Sequence, residues 1–226
     1  MSDTDSFIEE VTEEVRRDRL FAMIRRYGWI AVAVIVLVVG GAAWNEWNKA
    51  QRRAVAEATG DALLAAVEAN EDAARIAALK DVQVGSDGAR MVADFLLASH
   101  LLSANDAEAA AAALNDIVTQ GGEMPEIYRQ IAAFKAVLAR GSDMPAAERR
   151  VALESMAAPG MPLALLAQEQ LALVDVEEGN TEAALERLNA VVADANASAG
   201  LRQRASQLIV SLGGTASAMT GDLSGQ

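Results

Sequence analysis

Cysteine is absent from the chain, which excludes disulfides, thiolate zinc sites and cysteine nucleophiles. It leaves the compartment open, because a cysteine-free chain folds in any redox environment. Histidine occurs once, as His100 in "LLASHLLS", and a lone histidine on a helix is ordinarily a packed or surface residue rather than a metal ligand. The phosphate-binding, dinucleotide-binding, nucleophile-elbow and zincin signatures are all missing. "GSDG" at 85–88 lacks the alternating acids and terminal Glu of a calcium loop. The sequence therefore offers no catalytic, cofactor-binding or metal-binding residues, and neither an enzyme nor a small-molecule substrate is expected. Four prolines and 4% aromatic residues give β-sheet little to build on. Abundant alanine suits helices that pack closely.

The charge present is mostly negative. The formal net charge is −13 over 226 residues, about −2 of it before the central apolar run and about −11 after it. An acidic domain of that kind repels nucleic acid and anionic lipid surfaces, so nucleic acid is not an expected partner. An apolar content of 52% argues against a mostly disordered chain.

Between Arg26 and Glu46 lie nineteen uncharged residues rich in Ile, Val and Leu. As a helix they extend about 28 Å, close to the thickness of a bilayer's hydrocarbon core. Tyr27 and Trp29 stand at one end and Trp44 and Trp47 at the other, the headgroup level that amphipathic rings prefer. A cleavable signal peptide is the competing reading, with Gly41 and Ala43 small enough for a cleavage site. Against it stand the long segment before the run and its seven acids, where signal peptides start short and basic. A lasting anchor in the lipid bilayer over 27–47 is expected. Five arginines precede the span, and Lys49, Arg52 and Arg53 follow it, a bias that sets the N-terminus in the cytoplasm. Ser6 and Glu9 have capping-box spacing, with Phe7, Val11 and Val15 following at helical intervals. The head therefore reads as an amphipathic helix.

Beyond the run, helical spacing without proline continues from Asn48 to about Glu71. Breaks then recur at "VGSDG" (84–88), "SAND" (103–106), "QGGEMP" (120–125), "RGSDMP" (140–145), "APGMP" (158–162), "EEGN" (177–180) and "ANASAG" (195–200). Such residues stop one helix and cap the next, leaving units suited to antiparallel helix pairs. "LALVDVEEGNTEAALERLNAVV" (171–192) aligns with "LASHLLSANDAEAAAAALNDIV" (97–118) at a constant offset of 74. The register pairs Leu171 with Leu97, Ala172 with Ala98, Ala184 with Ala110 and Leu188 with Leu114. An offset of two repeat lengths fits a tandem helical-hairpin array. Residues 126–157 form a middle unit with a poorer match. Small Ala172 and Ala184 fit where paired helices approach, and Leu188 with Val191 or Val192 fits the groove against the next hairpin.

This is the pattern of tetratricopeptide-like repeats in degenerate form, with Gln168 and Asp175 at the usual Trp and Tyr positions. An alanine-rich helical bundle without true repeats is the alternative. The expected fold class is all-α: one N-terminal transmembrane helix followed by a tetratricopeptide-like solenoid. The expected plan is a cytoplasmic head at 1–26, a transmembrane helix at 27–47, a periplasmic helical domain at 48–212 and a flexible tail at 213–226. Partner contacts are expected on the inner helices, including 91–103, 126–140 and 163–177.

Three stretches carry a family resemblance: "RRDRLFAMIRRYGWIAVAVIVLVVGGAAW", "LESMAAPGMPLALLAQEQLAL" and "EEGNTEAALERLNAVVADANASAGLRQRASQLI". Together they resemble the YfgM-like family, ancillary subunits of the bacterial Sec translocon with one N-terminal anchor, in a form similar to that of alphaproteobacteria. The resemblance implies an inner-membrane protein whose periplasmic repeats associate with the translocon, with periplasmic chaperones and with client polypeptides. It implies no catalytic residues. The alternative is an accessory structural subunit of another envelope or respiratory membrane complex.

Overall fold

The computed structural model describes the backbone of residues 3–120 and 124–215, and the side chains of 25–30, 32–120 and 124–215. Among the described residues every regular element is helical. The chain divides into two units, residues 1–58 and 59–226.

The first unit is helical throughout its described length. It belongs to helix α1 (Asp3–Val67), the last turns of which fall in the second unit. Among the described residues the helix already runs from Asp3, so Ser6 lies inside it and not at the N-cap expected from the capping-box spacing. The side chains of that head up to residue 24, those of the capping box and of Phe7, Val11 and Val15 included, lie outside the described residues. Past Arg25 the apolar run is laid open: Trp29 is 70% exposed and Leu37 74%, and the neighbouring valines and isoleucines are exposed too. Trp44 and Trp47 form a tilted ring pair with centroids 5.4 Å apart. From Arg25 onward α1 has the length and composition to cross a membrane, and none of its apolar window is buried. No proline interrupts it, and it stops at Val67, one turn short of the expected end near Glu71.

Among the described residues the second unit adds eight helices: α2 (Asp72–Asp81), α3 (Asp87–Ser103), α4 (Ala107–Thr119), α5 (Glu126–Arg140), α6 (Ala146–Met156), α7 (Ala164–Glu177), α8 (Thr181–Ala193) and α9 (Ala199–Ser211). Their ends fall at the expected breaks for local reasons. Ser86, Asp106 and Ser198 cap α3, α4 and α9, each side-chain oxygen accepting from an N–H three residues on. "GSDG" is thus a helix start. Helices α3, α7 and α9 close in the same way on a left-handed residue, Asn105, Gly179 and Gly213. In each the next N–H reaches back five residues, from Asp106 to Leu101, Asn180 to Asp175 and Gly214 to Ile209, at 2.7–2.9 Å. Asn105 and Gly179 are 74 residues apart, so the repeat seen in side chains is also present in the backbone.

Packing follows the chain. Each helix packs most extensively on its sequence neighbours, the behaviour of a solenoid. Three buried clusters lie in series. The first joins Ala98 and Leu101 of α3, Leu114 and Ile117 of α4, and Ala132 and Ala136 of α5. Another joins Phe134 and Val137 of α5, Leu153 of α6, and Leu171 and Val174 of α7. The last joins Ala172 of α7, Ala184, Leu188 and Val191 of α8, and Leu201, Ala205 and Ile209 of α9. Each core is thus an outer helix between two inner ones. Three hairpins (α3/α4, α5/α6 and α7/α8) precede α9, which covers the last. Three of the four pairs set in register by the offset of 74 share their burial: Ala98 and Ala172 are buried, Ala110 and Ala184 are fully enclosed, and Leu114 and Leu188 are each 1% exposed, whereas Leu97 is half-buried where Leu171 is buried.

The middle hairpin departs from the pattern. Helix α5 ends on Gly141 at φ 46° and ψ −125°, backbone that only glycine takes without strain. A single 3₁₀ turn, Gly141–Asp143, follows it. Helix α5 packs far more extensively on α4 than on α6. This local difference accounts for the poorer match of residues 126–157.

Candidate protein-interaction groove

The inner helices α5, α7 and α9 together line a groove of about 640 Å³ within the second unit. Its first wall is α5, with Phe134 at depth and Leu138 43% exposed at the rim. Leu166, Gln170 and Leu173 come from α7, and Gln207, Leu208 and Ser211 from α9. The positions recur every three or four residues along each helix, which places them on one helical face. Inner segments 126–140 and 163–177 therefore supply two walls. Segment 91–103 lies in α3, which begins earlier, at Asp87, and does not reach this groove.

Among the described residues two charged ones line the groove, Glu169 and Arg204, and they are paired. Arg204 donates from Nε and Nη2 to the two carboxylate oxygens of Glu169 at 2.9 and 2.8 Å. Glu169 is buried, while the Arg204 side chain is half exposed. A forked pair of this geometry satisfies the buried carboxylate and holds α9 against α7. The carboxylate raises the pKa of Arg204, by hydrogen bonding first and charge second. With these charges matched, the groove offers leucine side chains, amides and a hydroxyl inside a strongly acidic domain.

A second polar network fixes α7 through residues that do not line the groove. Asp175 is buried and accepts from Arg150 of α6 and from Arg187 of α8, both at 2.7 Å. Arg187 also donates to Oε1 of Gln168 at 2.9 Å. Gln168 and Asp175, expected from the sequence at the Trp and Tyr positions of a tetratricopeptide-like repeat, are both part of this charged clamp. Arg150 reaches Glu178 as well, at 2.6 Å, and Arg149 pairs with Glu177. The acids at "EEGN" are therefore exposed helix-end residues held by α6. The pKa of Arg150 is raised, above all by its hydrogen bonds to Asp175 and Glu178.

Sequence reading located the inner helices but missed both clamps. A signal was available: Glu169 and Asp175 interrupt the apolar face of "LLAQEQLALVDVE", and a buried acid requires a cation on a neighbouring helix. His100 is half-buried on α3. Among the described residues no group of three or more His, Asp or Glu could hold a metal ion.

A family model described as a tetratricopeptide repeat-like domain matches residues 24–140, just over half of the chain. The match takes in the apolar run of α1 and everything through α5. No curated protein gives a significant match, and no solved structure does.

Proposed function

The chain belongs to the tetratricopeptide repeat-like domain family, a protein-interaction fold, and on that premise we propose that it is a membrane-tethered module that receives apolar polypeptide segments. The groove of α5, α7 and α9 is the observation that carries this reading. A surface with exposed Leu138 and Leu173, whose charged lining among the described residues is a mutually paired Glu169 and Arg204, suits an extended or helical segment of low charge. It asks for no chemical step from the protein.

The tether is the run at 27–47. A helix that leaves its apolar side chains exposed along this length is costly in water, at about 25 cal/mol per Å² of apolar surface, and at home in lipid. The family match includes that run, which supports reading it as an integral part of the protein. Under the arginine bias the repeats face the periplasm of a Gram-negative cell, and the head of residues 1–26 faces the cytoplasm. Resemblance to YfgM-like proteins then supports the finer role: an ancillary Sec translocon subunit that passes newly translocated envelope proteins to periplasmic chaperones. Tethering would raise the local concentration of the groove where such chains emerge.

Crosslinking in intact membranes followed by purification of the full chain tests the role. Enrichment of translocon subunits together with many envelope precursors is expected. A single stoichiometric partner in place of many clients would assign the protein to another envelope or respiratory complex as a structural subunit. Release of the chain from membranes by high salt or alkali would remove the tether.

A further inference from the structure

We infer that the solenoid is two blocks, α2–α5 held by extensive apolar packing and α6–α9 locked by ion pairs, hinged at the Gly141–Asp143 turn, and that the interaction groove opens and closes across this hinge. Polar bonding is unequal on the two sides. Among the described residues, every ion pair that joins two helices lies within α6–α9: Arg149–Glu177, Arg150–Asp175, Arg150–Glu178, Arg187–Asp175 and Arg204–Glu169. Helix α5 goes with the other block, since it packs far more extensively on α4 than on α6, and Ala132 and Ala136 are built into the core that α3 and α4 share.

The seam between the blocks is apolar. Among the described residues no ion pair or side-chain hydrogen bond crosses from α5 to α6 or α7. Phe134 and Val137 supply the buried contact from α5, and each keeps 8% of its surface exposed, against 1–2% for Leu153, Leu171 and Val174 facing them. Apolar contacts are non-directional and tolerate small sliding, whereas forked ion pairs fix an angle. The connection is unusual as well. The turns after α3, α7 and α9 share one closed geometry, while that after α5 uses Gly141 at φ 46° and a lone 3₁₀ turn. Hinges form where a few residues at the end of an element can absorb backbone rotation.

The groove straddles this seam. Phe134 and Leu138 belong to one block, and Leu166, Leu173 and Leu208 belong to the other. Rotation about the turn changes its width while leaving the Glu169–Arg204 pair intact, since both partners move together. Closure onto a segment would bury Leu138 and Leu173 from opposite sides. That consequence rests on the groove being the interaction surface; the hinge itself does not.

The absence of cysteine allows clean spin labelling of the full chain. One cysteine pair, Ala112→Cys on α4 with Glu186→Cys on α8, reports across the seam. A second, Glu154→Cys on α6 with Glu186→Cys, reports within the C-terminal block, and all three sites are exposed. Electron–electron distance measurements should give a distribution across the seam at least about twice as wide as that within the block. Asp175→Asn, which weakens the clamp joining α6 to α8, should widen the within-block distribution toward the cross-seam one. Equal widths in the parent chain would overturn the hinge, and would leave the groove reading to be judged by crosslinking.

Discussion

Arg204 on α9 grips the buried carboxylate of Glu169 on α7 through two parallel hydrogen bonds of 2.9 and 2.8 Å. The two residues are 35 positions apart, about one repeat length, so the pair ties successive inner helices and lines the groove. Arg204→Ala strands a buried charge. The expected loss is about 1–2 kcal/mol, below the full cost of breaking a buried pair because the arginine is half exposed. Replacing both residues by methionine should recover most of that loss. Thermal unfolding of the full chain followed by circular dichroism measures both, and equal losses in the two variants would refute the coupling.

The clamp on Asp175 makes a consensus substitution harmful. Asp175→Tyr introduces the aromatic residue that the expected repeat register would place there, yet it leaves Arg150 and Arg187 without their shared carboxylate. A loss of about 2–4 kcal/mol is expected, since breaking a buried ionic network costs more than an added ring returns. Denaturant titration decides it, and a tyrosine variant as stable as the parent would mean that the arginines find other partners.

Close helix approach depends on alanine. Ala184 is fully enclosed between α7 and α9, so Ala184→Leu overpacks the site and should lower stability by about 1–3 kcal/mol. Ala112→Leu, on the exposed side of α4, should change stability by less than about 0.5 kcal/mol. Urea midpoints of the two variants provide the comparison, and a neutral Ala184→Leu would contradict the packing described.

Asp94 introduces a pH dependence. Burial raises its pKa, outweighing the hydrogen bond from Gln120 and the nearby Arg90, with Asp116 adding to the rise. An acid whose folded-state pKa is raised favours the fold when protonated. Its contribution is complete below the ordinary aspartate range near pH 3.9 and is lost as pH rises through the folded-state value. Asp94→Asn keeps an acceptor for Gln120 and never ionises. It should melt above the parent at pH 7, with the gap shrinking as pH approaches 4. A gap that grows on acidification would reverse the assignment.

The helix breaks were legible in the sequence because their chemistry is local: Ser86, Asp106 and Ser198 act on residues three positions away. The repeat register was legible because Ala98, Ala110, Ala172 and Ala184 must be small wherever helices touch. The clamps were not, because Asp175 finds Arg150 and Arg187 at separations of 25 and 12 residues, and Glu169 finds Arg204 at 35. Those partners are set by how hairpins stack, which no window of sequence contains. The odd middle hairpin was visible as a weak match, but only the Gly141 backbone explains it.

The central claim is that the inner face of the solenoid holds partner polypeptides. A photo-crosslinking residue placed in the full chain at Leu173, in the groove, and at Val151, 69% exposed on outer helix α6, tests it most directly. Irradiation of intact cells should give protein adducts from position 173, fewer when Leu138→Asp is added, and essentially none from 151. Adducts from 151 that equal or exceed those from 173 would place the interaction surface elsewhere.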